Sequence, residues 1–262
     1  MNIPLKTPDE IAKMREAGRI VALAHEAMRE AVQPGISTLK LDQIAAEVLR
    51  AHNATAAFLG YPKANSPDFP ATITASINHE LVHGIPSADR ILQEGDIISL
   101  DIGCHYDGYV GDAARTWSVG QISAGAERLI RVANETLDAA IAAAVLGNNV
   151  SDIARATQAH AAKNGYSVAR EYTGHGVGRK MHEPPQVPNW WPRKNNRRLR
   201  ASDAPLQVGM TLAIEPMIIA GRANLKELDD QWTVVTKDKS LCAHVEHSVV
   251  ITDGEPIILT VL

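Results

Sequence analysis

Four acidic residues lie inside stretches that otherwise read as buried β-strand, and this placement limits what the chain can fold into. They are Asp101 in SLDIG, Asp112 in VGDAA, Glu215 in AIEPMI and Glu246 in VEHSVVI. Strand alternation puts Leu100 and Ile102 on the face opposite Asp101, and it places Glu246 with His244 and Ser248, against Val245, His247 and Val249. An isolated ionised carboxylate in such surroundings costs several kcal/mol unless it is paired or binds a cation. One such acid reads as a structural ion pair. Four in similar contexts call for a shared compensation, and few lysines or arginines lie nearby in sequence. Metal is the economical answer; the plainer alternative is a set of unrelated buried acids.

A fifth candidate ligand is His175 in Thr173-Gly174-His175-Gly176-Val177-Gly178, where the glycines allow close backbone approach and leave the imidazole unobstructed. Four carboxylates and one imidazole suit two divalent cations, because the charges then balance. An oxygen-rich set favours manganese or ferrous iron over a thiolate-type zinc site. Iron, manganese, cobalt and zinc all stay open. Two such ions about 3.5–4 Å apart can share a hydroxide and clamp a carbonyl during hydrolysis. His79-Glu80-Leu81-Val82-His83 matches the HExxH pattern of zinc proteases letter for letter. That motif works only on a helix. Here the preceding residues alternate like a strand and Gly84-Ile85-Pro86 follows at once, so the zinc-protease reading is rejected.

The order of elements implies an α+β fold. Thr7-Pro8-Asp9-Glu10 is a capping box with proline at the first helical position, and Ile11, Met14, Gly18, Val21 and Met28 follow at helical spacing before Pro34-Gly35. A second helix carries Leu41, Ile44, Ala45, Val48 and Leu49, and strands are predicted at Ala71–Ile77, Ile97–Ile102 and Tyr109–Val119. After Gly120 the order repeats: a helix through Leu129, Leu137 and Ala144, another from Ser151 to Lys163, then strands at Met210–Ile219, Trp232–Thr236 and His244–Thr252. Helices followed by strands, twice, suggest a duplication with pseudo-halves of about residues 1–120 and 121–262, fused into one domain over 1–262.

The chain has 262 residues, 45% hydrophobic and 21% charged, with a net charge of −4, so neither disorder nor a global pull toward nucleic acid or anionic membrane is expected. No apolar run approaches the roughly 20 residues that span a bilayer. MNIPLKTPDEI lacks the features of a signal peptide, and only Cys104 and Cys242 occur, which points to a reducing cytosol and buried free thiols.

The segments KTPDEIAKMREAGRI, SINHELVHGIP, GDIISLDIG, DGYVGDAARTWSVG, REYTGHGVGRKMHEPPQVPN, GMTLAIEPM and WTVVTKDKSLCAHVEHSVVIT, in this order, resemble the type I methionine aminopeptidases across nearly the whole chain. The resemblance implies a pita-bread α+β fold: two pseudo-symmetric halves around a curved antiparallel sheet. It implies a cytoplasmic, monomeric, dinuclear-metal aminopeptidase that hydrolytically removes methionine from nascent polypeptide N-termini when the next residue is small. In that scheme Asp101 chelates one metal, His175 and Glu215 hold the other, and Asp112 and Glu246 bridge both. A metal-bridging hydroxide is the nucleophile and Glu215 shuttles the proton. His83 and His182 contact the scissile amide and stabilise the tetrahedral intermediate. Tyr61, Trp232, Phe69, Thr74 and Met181 are expected around the methionine side chain; ANSPDFP looks inserted after Tyr61-Pro62-Lys63, and Thr74 and Met181 replace a frequent cysteine and phenylalanine. His79, His244 and His247 match no catalytic position of the family.

Arg193, Lys194, Arg197, Arg198 and Arg200 crowd one loop, which reads as a solvated basic segment or as a contact for the ribosome through residues 193–200. Two rival functions are weighed. A proline-specific peptidase of the same fold shares the five ligands but usually carries an extra N-terminal domain and lacks the HGIP and WTVVTKD contexts. A catalytically dead binding protein loses ligands, and this chain keeps all five.

Overall fold

The structure is a computed structural model that describes residues 2–192 and 203–262. The chain opens with α1 (Pro8–Ala31), started by the expected capping box: Thr7 Oγ1 accepts from Glu10 N at 3.4 Å, and Glu10 accepts from Thr7 N at 2.9 Å. Then come α2 (Thr38–Ala51), β1 (Thr55–Ala56), β2 (Ile73–Ile77), β3 (Glu80–Val82), β4 (Ile97–Tyr106) and β5 (Tyr109–Ser118). After a short link the second half begins with α3 (Ala124–Ala142) and α4 (Val150–Lys163). Its strands are β6 (Ser167–Val168), β7 (Thr173–Gly176), β8 (Glu183–Pro188), β9 (Thr211–Ile214), β10 (Met217–Ile219), β11 (Leu225–Glu227), β12 (Val234–Thr236), β13 (Cys242–His244), β14 (His247–Val250) and β15 (Ile257–Ile258).

Among the described residues every strand pair is antiparallel. β4 is central to the first half, with β5 on one edge and β2 and β1 along the other. In the second half β15-β14-β9-β7-β8 form a sheet and β13-β10-β6 a smaller one, while β11-β12 pair with β3 of the first half in a sheet that joins the two. Each half buries its helix pair against its own strands. Ala17, Ile20, Leu41 and Leu49 pack with Ile98, Leu100 and Ile102, while Leu129, Leu137 and Ile153 pack with Leu212, Ile214 and Val249. Each fully buried aliphatic side chain contributes about 1.5–3 kcal/mol. Helix α1 lies so close to β5 that a Cβ on Gly111 would stand 2.6 Å from the Ala17 backbone.

Two predicted strands are each broken, and both breaks carry a candidate ligand. Met210–Ile219 divides into β9 and β10 around Glu215-Pro216, because Pro216 has no N–H to continue a ladder. His244–Thr252 divides into β13 and β14 around Val245-Glu246, where the chain leaves the β10 sheet for the β9 sheet. Strands β1, β3, β6, β7, β8, β11 and β15 are not among those the sequence predicts; most are two to four residues long, and the EPPQVP sequence of β8 is suited to an edge, which is where it lies. Among the described residues no helix is long and apolar enough to cross a membrane.

Candidate active site and metal centre

The five predicted ligands converge between the two halves. In the β4–β5 register Asp101 faces Ala114 and Gly103 faces Asp112, so the two aspartates are diagonal neighbours on one face. Leu100 and Ile102 turn the other way, into the helix-covered core. From the second half, His175 Nε2 reaches to 3.7 Å from Asp112 Oδ2 and 3.6 Å from Glu215 Oε1. One ligand atom each from Asp112, His175 and Glu246 lie within 4.8 Å of one another. His175 Nδ1 donates to the Gly176 carbonyl at 2.9 Å, which leaves the Nε2 lone pair directed at the carboxylates. The flanking glycines are required by space: a Cβ on Gly174 would lie 2.4 Å from Ala213 O, and one on Gly176 2.3 Å from Pro184 O.

Burial and mutual repulsion make this cluster unstable as four anions. Burial pushes the Asp101 carboxyl up to about 7, with Glu215 adding to the rise. Burial also drives Asp112, Glu215 and Glu246 well above the usual carboxylate range, with Asp101 and Glu215 raising Asp112 further. Asp101 Oδ1, Asp112 Oδ1 and Glu246 Oε1 are buried without a hydrogen-bond partner among the described residues. Orphaned carboxylate oxygens around a neutral imidazole, held down to about 3 chiefly by burial, are a donor set that fits divalent cations.

A pH dependence follows. The raised Asp101 pKa means that the folded, metal-free protein keeps a proton which the unfolded chain has lost between about pH 4 and 7. That protonation stabilises the metal-free fold at low pH and is lost as pH rises through the window, and a cation must displace the same proton. The gain in Tm on adding manganese over EDTA is therefore expected to be small at pH 5 and large at pH 8. Equal gains at the two pH values in a thermal melt would overturn this.

A cavity of about 160 Å³ opens onto the cluster, lined on the apolar side by Phe58, Tyr61, Phe69, Met181 and Trp232, and beside the carboxylates by Thr74, His83 and His182. All the pocket residues expected from sequence are present. Thr74 is opposite Asp101 in the β2–β4 register, and Phe69 packs edge-on against Trp232 with ring centroids 5.1 Å apart. Gly103 packs against two of the lining side chains, where a Cβ would press on Phe58 and the Met181 sulfur at 3.2 Å.

His182 is closely held. Tyr61 Oη and His182 Nδ1 are 2.6 Å apart, a hydrogen bond that engages Nδ1 and holds the ring on the cavity wall. The loop bearing Met181 and His182 is tied by Glu183, which accepts from Arg179 N at 2.8 Å and Lys180 N at 3.1 Å. Lys6 Nζ pairs with the same carboxylate at 2.6 Å, and this ion pair is nearly buried. Burial pushes His83 down to about 4, and it lowers His182 as well, so both imidazoles are neutral donors at physiological pH.

The rejected HExxH segment is not helical: Glu80–Val82 form β3, His83 has φ +61°, and Glu80 is ion-paired with Arg90. Cys104 and Cys242 are free and buried, and burial raises both thiols, Cys104 to about 12. Sequence reasoning missed Phe58 and set His244 aside, although His244 Nε2 lies 3.4 Å from Glu215 Oε2. The signal for His244 was its position two residues before Glu246 on the same face. Basic residues 193–200 lie outside the described residues.

The model of metallopeptidase family M24 matches residues 12–253. The chain belongs to that family. Within M24 it is 46% identical over 255 residues to methionine aminopeptidase 1 of Bacillus subtilis, covering 97% of this chain and 98% of the relative. Its backbone matches the crystal structure of a Thermotoga maritima methionine aminopeptidase with a TM-score of 0.92 at 38% identity, over 100% of both chains. A prolidase from Pyrococcus furiosus matches at 0.76 with 22% identity, over 98% of this chain and 65% of that one, a likeness of fold alone. Membership of M24 makes this a divalent-metal peptidase with the pita-bread architecture, as the sequence motifs imply.

Proposed function

We propose that the chain removes N-terminal methionine from polypeptides whose second residue is small, acting as a monomer in the cytoplasm, with residues 1–262 as one catalytic domain. The observation that carries this is the continuity of one apolar cavity, sized for a single side chain, with the cluster of Asp101, Asp112, His175, Glu215 and Glu246. A flexible thioether suits the mixed aromatic and sulfur lining of Phe58, Phe69, Met181 and Trp232. Asp101, Asp112, His175, Glu215 and Glu246 would hold two divalent cations, which would supply Lewis-acid polarisation of the scissile carbonyl and a water ionised at neutral pH. Glu215 takes the proton from the attacking water and returns it to the leaving nitrogen. His182, its Nδ1 engaged by Tyr61, offers Nε2–H to the carbonyl oxygen as negative charge develops there, and neutral His83 contacts the scissile amide. For residues 193–200, contact with the ribosome rests on their charge.

The manganese- or iron-loaded protein is expected to hydrolyse Met-Ala-Ser rapidly and Met-Asn-Ile poorly, because the second side chain must fit beside the metal ligands and both histidines. An X-Pro dipeptide is expected to be inert. Cleavage of the X-Pro dipeptide in preference to Met-Ala-Ser would replace this reading with the prolidase one.

A further inference from the structure

His244 has no part in the hydrolysis described above, yet it stands inside the cluster. It ends β13 at 2% exposure, and its Nε2 is buried, 3.4 Å from Glu215 Oε2, with no hydrogen-bond partner among the described residues. Its backbone is fixed by a buried pair of hydroxyls. Ser99 Oγ and Thr116 Oγ1 are 2.8 Å apart, His244 N donates to them at 3.2 and 3.1 Å, and Thr116 Oγ1 donates to the His244 carbonyl at 2.7 Å. Ser99 precedes Asp101 on β4 and Thr116 follows Asp112 on β5, so the strands that carry the two aspartates also set the height of the imidazole. Two residues further on, Glu246 N donates to Ala114 O at 2.9 Å, which holds the same chain against the same strand.

A buried imidazole nitrogen without a partner is costly, and an aliphatic residue would fill this space without that cost. What Nε2 faces is an oxygen of Glu215, which accepts whenever that carboxylate is ionised, as it must be to hold a cation. We propose that His244 is a positioning residue for Glu215, donating Nε2–H to Oε2 and fixing the direction of the oxygen that carries the proton during hydrolysis. The separation of 3.4 Å exceeds that of a formed bond, and a small rotation of the Glu215 carboxylate closes it. Oε1, on the His175 side at 3.6 Å, is then left for a cation, so the two oxygens of one carboxylate have separate duties. This inference rests on the peptidase reading of the site.

The tautomer can be read in the wild-type protein, loaded with zinc to keep it diamagnetic and labelled with ¹⁵N-histidine. The His244 signal, assigned by its disappearance in His244→Phe or His244→Gln, is expected to show a protonated Nε2. An unprotonated Nε2 overturns the proposal. In kinetics on Met-Ala-Ser, His244→Phe is expected to lower kcat about 10–100-fold, the usual loss for an outer partner of a metal ligand, with KM nearly unchanged. His244→Gln, which keeps an N–H in reach, should recover most of that loss, and metal content should be equal in all three proteins. Full turnover in His244→Phe, or loss of one metal equivalent from it, overturns the positioning role. Wild-type protein that leaves Met-Ala-Ser intact would instead sink the peptidase reading, whatever the tautomer.

Discussion

Replacing Asp112 with alanine is expected to end hydrolysis and to strip the metal centre. Asp112 is diagonal to Asp101, 3.7 Å from His175 Nε2, and within 4.8 Å of a ligand atom of Glu246, so it touches donors from both halves of the chain. Its loss should cost more than the roughly 10–100-fold typical of an outer-shell partner, and kcat/KM on Met-Ala-Ser should fall by about 10³-fold or more. Metal analysis of the purified variant should find less than one ion per chain. Asp112→Asn separates charge from shape. It should be equally inactive, yet in EDTA at pH 8 it should melt above wild type, because burial and neighbouring carboxylates already disfavour that charge. Two tightly held ions with near-normal turnover in Asp112→Ala would sink the ligand assignment.

The second large effect is expected at His182. Its imidazole is on the cavity wall, tilted against His175 with ring centroids 4.2 Å apart, and its Nδ1 is engaged by Tyr61. His182→Ala removes a donor to developing negative charge, which is worth about 10²–10³ in kcat where comparable donors have been deleted. KM and metal content should change little, since no carboxylate is disturbed. A variant that loses metal along with activity would make His182 a ligand and not a transition-state donor.

Much of this site was legible in sequence because its chemistry is costly. Asp101, Asp112, Glu215 and Glu246 stand out among valine, leucine and isoleucine, where only a strong compensation keeps an acid. The helices were legible for a different reason: Thr7, Glu10 and the apolar spacing of Met14, Val21 and Met28 are local signals. What escaped was set by distant parts of the chain. The break at Val245 depends on which sheet each strand joins, so period-2 alternation reads straight through it, whereas Pro216 is a local signal that marks the other break. His244 looked idle because its neighbour Glu215 is far off in sequence, and Phe58 because its role depends on Gly103 across the fold. Edge strand β8, with three prolines in six residues, carries no strand propensity to read.

The spread of ligands from Asp101 to Glu246 also bears on how such a chain comes into being during synthesis. While only the first half has emerged, Asp101 and Asp112 have no imidazole and no opposing glutamates, so a captured ion would be weakly held. His175 and Glu215 follow on β7 and after β9, and Glu246, between β13 and β14, is the last of the five to be made. A chain interrupted anywhere before Glu246 would therefore lack at least one of the five residues that would hold the metal.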